Sequence, residues 1–321
     1  MNEPNTVVPL GELLRDAPKN WGRWGPNDEV GALNFLTAEE MLRGVQCVRQ
    51  GKAFTLQVPM CDPRGDPMSP GRQATQRYMV LDKGDFQAGK APDLPGGLEW
   101  ADDVVVAYLQ GTTHYDALGH AWQGDQIWNG ADATTTIGGL SHASVFPLAD
   151  RGVVGRGVLL DVARHRGKDI LGQGEIFSHA DLVACAEAQG TTLQKRDILI
   201  VRTGWVKWFY SVGPDQAYAD FREPGLAYSP ELVQWFHDME IPNLITDTTG
   251  NEVQVDPGTG GFWPLHVALL CYLGISLTEI AWLEDLADDC AADGQYDFLF
   301  AAAPLKVVGG SGGPVNPLAI K

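Results

Sequence analysis

Gln110-Gly111-Thr112-Thr113-His114-Tyr115-Asp116-Ala117-Leu118-Gly119-His120 gathers two of the chain's seven histidines and one carboxylate into a single short run. The apolar residues before it, Val104-Val105-Val106-Ala107-Tyr108-Leu109, read as a buried strand. His114 and Asp116 are two apart, so in extended backbone they point to one face. One imidazole and one carboxylate on one face can grip a divalent metal. His120 approaches the same point if 117–119 turn. Taken alone, the run has a plainer reading, in which Asp116 is a turn former that accepts backbone hydrogen bonds.

The full run resembles the signature H-x-G-T-H-x-D-x-x-x-H of the metal-dependent cyclase-like hydrolases, a family that includes bacterial kynurenine formamidases and isatin hydrolases. Thr113, His114, Asp116 and His120 fall in register with it. Gln110 stands where the signature begins with His, and Thr112 where it has Gly. In that family the first His helps to hold metal, notably in binuclear members. Gln ligates weakly, through its amide oxygen, so one metal per chain is expected rather than two. The resemblance implies the swivelling β/β/α fold; the sequence alone supports mixed α/β.

Composition sets outer bounds. The chain has 321 residues, 44% of them apolar, and a net charge of −18. An acidic balance this strong argues against nucleic acid or an anionic membrane as partner and leaves a small-molecule substrate. No apolar run approaches the ~20 residues of a spanning helix. The first sixteen residues carry no basic segment followed by an apolar core, so no signal peptide is expected. Cys47, Cys61, Cys185, Cys271 and Cys290 are scattered and odd in number, as reduced thiols of a cytoplasmic protein would be. There is no internal repeat, G-x-S-x-G elbow, H-E-x-x-H or phosphate-loop motif. One domain over 1–321 is expected, with 1–52 an N-terminal extension packed on it.

Outward from the motif, residues 20–34 form a Gly/Trp-rich segment. It is either a loop pinned by Trp21 and Trp24 or a lid offering aromatic surface to a substrate; it also resembles the N-terminal extension of longer cyclase-like members. Thr37-Ala38-Glu39-Glu40 is a capping box for a helix to about Arg49, and 53–58 alternates as a strand. Residues 59–100 lack a period and read as a long excursion over the site or a dimer partner; a homodimer or homotetramer is expected. His142, His165, His179 and His237 read as surface residues. Ser178 and Ser229-Pro230 open helices. Strands are expected at 157–162, 197–202, 241–245 and 296–300. Asp247-Thr248-Thr249 lie at a strand's end, where α/β sites gather polar groups. Gly155–Asp161 and the strand entering Thr203-Gly204-Trp205 also resemble the family, as does the closing glycine turn.

Residues 264–274 read as an apolar helix whose one ionisable group is His266, by default a core histidine. Glu279 stands among Leu277, Ile280 and Trp282, where an unpaired carboxylate is costly to bury. The two resemble the family's second pair of metal ligands. The resemblance thus implies a metal set of His114, Asp116, His266 and Glu279, with Gln110 a weak member. Two imidazoles and two carboxylates without thiolate suit zinc or manganese. His120 is then the general base that becomes acid to a leaving nitrogen. Trp24, Trp205 and Thr248 are weaker candidates for substrate contact. This chemistry fits hydrolysis of an amide in an aromatic or cyclic substrate, arylformamidase-like. The alternatives are a lactone hydrolase, a polyketide-type cyclase or dehydratase, and a metal-binding protein without turnover.

Overall fold

In the computed structural model, which describes residues 7–321, the strands are β1 (Ala53–Thr55), β2 (Gln76–Leu81), β3 (Asp102–Val106), β4 (His114–Asp116), β5 (Val153–Asp161), β6 (Ile176–Phe177), β7 (Ile198–Arg202), β8 (Gly225–Leu226), β9 (Asn243–Thr246), β10 (Ser276–Glu279), β11 (Asp297–Ala302), β12 (Gly312–Pro314) and β13 (Leu318–Ile320). Nine of them form one sheet in the order β1-β13-β11-β5-β7-β9-β10-β4-β12. The fold is mixed α/β, as the sequence implied. Residues 1–6, on which the leader and single-domain expectations partly rest, lie outside the described residues.

The centre of the sheet is parallel: β5 with β7, β7 with β9, β9 with β10. Parallel strands covered on both faces need continuous apolar runs, and every residue of β7 and β9 is buried. The flanks are antiparallel. On one flank β4 lies between β10 and β12, which brings the start of β4 beside the carboxyl end of β10. In open α/β sheets that end of the strands is where sites form.

Helices follow the sequence signals. Thr37 and Ser178 make complete capping boxes, and Ser229 caps Pro230–Asp238. The helix after Thr37 ends at Val45 rather than near 49. The 264–274 segment is one α-turn, Pro264–His266, continued as a wider π-helix, Val267–Leu273, and stopped by Gly274 at φ 66°. A Cβ on Gly274 would lie 2.6 Å from the Trp128 ring and 2.9 Å from Gly31 Cα. The N-terminal extension docks at this glycine, with Ala32 N donating to Gly274 O at 2.7 Å. No described helix is long and apolar enough to cross a membrane.

Two readings are corrected. Residues 104–109 are not a buried strand: β3 is exposed along its length and pairs only with β2 in a separate two-stranded ribbon. Tyr78, Met79, Val80, Val104, Val105 and Val106 stand exposed on it. The apolar composition was read as burial, yet among the described residues the ribbon's strands stand exposed and pair only with each other. The 59–100 excursion is accordingly not structureless, since it holds β2 and the short helix Lys83–Gln87.

Candidate metal centre

The side-chain period of β4 divides its residues between two environments. Tyr115 points to the core, its hydroxyl donating to Asn243 Oδ1 at 2.9 Å. His114 and Asp116 share the opposite face, as the two-residue spacing requires. Glu279 is the direct cross-strand partner of His114 in the β10–β4 register, so its carboxylate joins them. Their ligand atoms lie within 4.8 Å of one another, and all three side chains are buried.

His114 Nδ1 donates to the Thr112 carbonyl at 2.7 Å. That bond fixes the tautomer and leaves the Nε2 lone pair facing inward. His114 Nε2 is 3.5 Å from Asp116 Oδ1 and 3.3 Å from Glu279 Oε2. His114 Nε2 and both Asp116 oxygens are buried without a hydrogen-bond partner. Buried polar atoms are rarely left this way. Three such atoms converging beside a second carboxylate fit a bound cation.

His266 stands against the other oxygen of Glu279, Nε2 to Oε1 3.2 Å. Its Nδ1 donates to Glu252 Oε1 at 2.8 Å, and Glu252 also accepts from the Leu265 and His266 backbone amides. Trp263 stacks on the His266 ring at 4.8 Å and 13°. Asn251, Trp263 and Ile280 hold left-handed backbone at φ 55°, 48° and 59°. Each adjoins or closely precedes a residue of this network, and such strain persists only where the surroundings impose it. Glu252 and Trp263 escaped the sequence reading; the one available signal was an acidic residue in a Gly-rich loop shortly before His266.

Charge in the cluster favours a cation. Burial pushes His114 down, but Asp116 and Glu279 outweigh it and hold its pKa up at about 9. Burial likewise opposes the His266 imidazolium, and Glu252 and Glu279 raise it to about 10. Burial works to raise Asp116, whereas His120 and His114 draw it far below the carboxylate range. His120 is lowered by its own burial, against the pull of Asp116. Without metal, protons on two imidazoles take the cation's place.

His120 Nε2 lies 3.7 Å from Asp116 Oδ1, and its side chain is 22% exposed while the ligands beneath are sealed. Gln110 lies beside His120: its amide Nε2 is 3.4 Å from His120 Nδ1 and donates to Ser311 Oγ at 3.1 Å. Gly312 makes room for it, since a Cβ there would meet Gln110 Nε2 at 2.6 Å. Asp247 accepts from Thr203 N and Oγ1 and from Gly204 N, bracing a turn. Thr248 is buried against Thr246. Trp205 packs in a second core cluster with Phe209 and Ile280, and Trp24 packs on Phe35 and Trp128. Among the described residues neither ring stacks on a ligand residue. A groove of about 770 Å³ beside Trp235 and His179 shares no residue with the cluster.

Residues 54–253 match the family model "Putative cyclase". The chain belongs to the cyclase family. The crystal structure of a novel cyclase is 34% identical, with 95% of this chain and 100% of that chain covered and a TM-score of 0.86. The fold is shared with isatin hydrolase A from Ralstonia solanacearum (17% identity, 84% and 91% covered, TM-score 0.58). It is shared too with a "predicted metal-dependent hydrolase from Bacillus stearothermophilus" (14%, 84% and 98%, 0.51). No curated protein matches the chain.

Proposed function

We propose that this cyclase-family protein is a metal-dependent hydrolase that opens an amide bond in an aromatic or cyclic substrate, arylformamidase-like. The observation that carries the reading is the convergence of His114 Nε2, the unpartnered Asp116 carboxylate and Glu279 next to a neutral His120. One cation per chain, zinc or manganese, is held by His114, Asp116 and Glu279, with His266 against Glu279. A divalent metal there supplies a Lewis acid that acidifies water and polarises a carbonyl. His120 takes the proton from the attacking water; burial keeps it unprotonated near neutral pH, as a base must be. The C–N bond breaks, the leaving nitrogen takes that proton back from His120, and an acid and an amine result. Glu252 fixes the ring of His266. Thr248 is buried with its hydroxyl against that of Thr246, and substrate selection is assigned to the side from which the partly exposed His120 is reached.

The exposed β2–β3 ribbon supports a homodimer, because a two-stranded ribbon with apolar residues on both faces is marginal in water. Light scattering on the purified protein tests this; a monomer at micromolar concentration refutes it. The activity is tested by metal analysis with a screen of formanilides, isatins, lactams and lactones. Turnover of a formanilide or cyclic amide supports the proposal. Turnover of lactones alone makes it a lactone hydrolase, and metal without turnover of any of them overturns it.

A further inference from the structure

Arg72 reaches the centre through Gln110. Its Nη1 donates to the Gln110 carbonyl at 3.0 Å, the Gln110 amide touches His120, and the guanidinium charge reaches the His120 ring. Arginines in this acidic chain are mostly paired. Among the described residues, only Arg15, Arg72 and Arg151 have no carboxylate within 4.0 Å. Arg151 donates to the Leu33 and Leu36 carbonyls, which accounts for it. The Arg72 side chain makes a single hydrogen bond among the described residues, which leaves Nε–H and Nη2–H without a protein acceptor there. A guanidinium fork of that kind matches a carboxylate bidentately. The next residue in the chain, Gln73, lines a cleft of about 220 Å³ with Ala74, Gln76, Val106, Ala107 and Tyr108.

The surroundings give this cation a task. Asp116, Glu279 and Glu252 lie buried within the centre, and the chain carries a net charge of −18. The centre's own cation offsets those carboxylates, but an anionic substrate still approaches through the field of a strongly acidic chain, and a further local cation favours that approach. Arg72 is a permanent cation joined to the partly exposed His120 through Gln110.

We propose that Arg72 selects substrates bearing a carboxylate, binding that group in its free fork while the scissile carbonyl lies over His120. The proposal rests on the hydrolase reading for the identity of the reaction, but not for the binding of the anion.

The test compares formanilide with 2-formamidobenzoate, which adds one carboxylate to the same scaffold, on metal-loaded wild type, Arg72→Met and Arg72→Lys. Expected is a KM for 2-formamidobenzoate that rises in Arg72→Met at least tenfold more than the KM for formanilide, with partial rescue in Arg72→Lys. Equal changes for both substrates would make Arg72 a support for Gln110 and His120 and overturn the proposal, as would no change. Titration of benzoate into the metal-loaded proteins separates this from the activity itself. Benzoate binding at least tenfold weaker in Arg72→Met, with neither formanilide hydrolysed by wild type, keeps the anion site and removes the amidohydrolase reading. Benzoate binding equal in all three proteins removes the anion site.

Discussion

Loading the protein with Mn²⁺ at pH 7.5 should drive protons off the centre, and their number reports the ligands. His114, held at about 9, is almost wholly protonated at that pH when no metal is bound. Its Nδ1–H stays with Thr112 O, so the proton on Nε2 must leave for that atom to ligate. Removing it costs about 2 kcal/mol, from ~1.5 pH units at ~1.4 kcal/mol each. His266, held at about 10, adds a second proton only if it coordinates. Asp116 is already ionised. Affinity should therefore rise about tenfold per pH unit between 6.5 and 9 with one imidazole ligand, and about a hundredfold with two. Calorimetric titration in two buffers of different ionisation enthalpy gives the number directly. Metal binding with no proton release, and affinity flat across that range, would refute the assignment of His114. The sign for stability is opposite. Both imidazoles have folded pKa values above the ordinary 6.5. Their contribution to the metal-free protein is full below 6.5 and is lost as pH rises through about 9 and 10.

His120→Ala should keep its metal by elemental analysis while kcat falls roughly 10²–10⁴-fold, and the acidic limb of the rate profile, lying below ~6.5 in wild type, should flatten; loss of the metal would make His120 a ligand. Glu252→Gln keeps one acceptor oxygen, for the His266 amide, but removes the anion and the acceptor of the Leu265 amide, so chelator competition should show metal affinity down by about 10–100-fold. Unchanged affinity would exclude His266 from the centre. A Cβ on Gly225 would lie 2.4 Å from the Glu252 carbonyl carbon, and Gly225→Ala should cost about 1–3 kcal/mol in calorimetry; an unaltered Tm refutes that contact. Burial raises Glu223 from 4.5 to about 8 against its bonds from Thr249. The fold therefore loses stability as pH climbs from 4.5 through 8. Glu223→Gln should melt higher than wild type by a margin that widens over that window, and a constant margin would be the wrong result.

The sequence carried what local periodicity and local chemistry encode. The two-residue spacing of His114 and Asp116 placed them on one face because a strand has a period of two. Thr37, Ser178 and Ser229 announced their helices because a capping oxygen acts within three residues. Burial was legible only where a neighbour could be inferred. Val104, Val105 and Val106 are apolar whether or not a second layer meets them, and the fold leaves them on an exposed ribbon. Trp205 read equally as core or pocket, and only packing against Phe209 and Ile280 decided it.

The ligands of the late half show the same division. Glu279 drew attention as a carboxylate among apolar residues, but its place opposite His114 depends on β4 inserting antiparallel beside β10, a pairing between segments more than 160 residues apart. Glu252 had no periodic or motif signal, and its role comes from a left-handed turn that folds it back on His266. Gln110 was read as a weak ligand from its place in the run; that its amide lies against His120 follows from the turn at 117–119, which the run alone does not encode. By itself the sequence determined which side chains could do chemistry here. Tertiary structure decided which of them meet, because contacts across a sheet are fixed by strand order and register, and no short-range pattern encodes those.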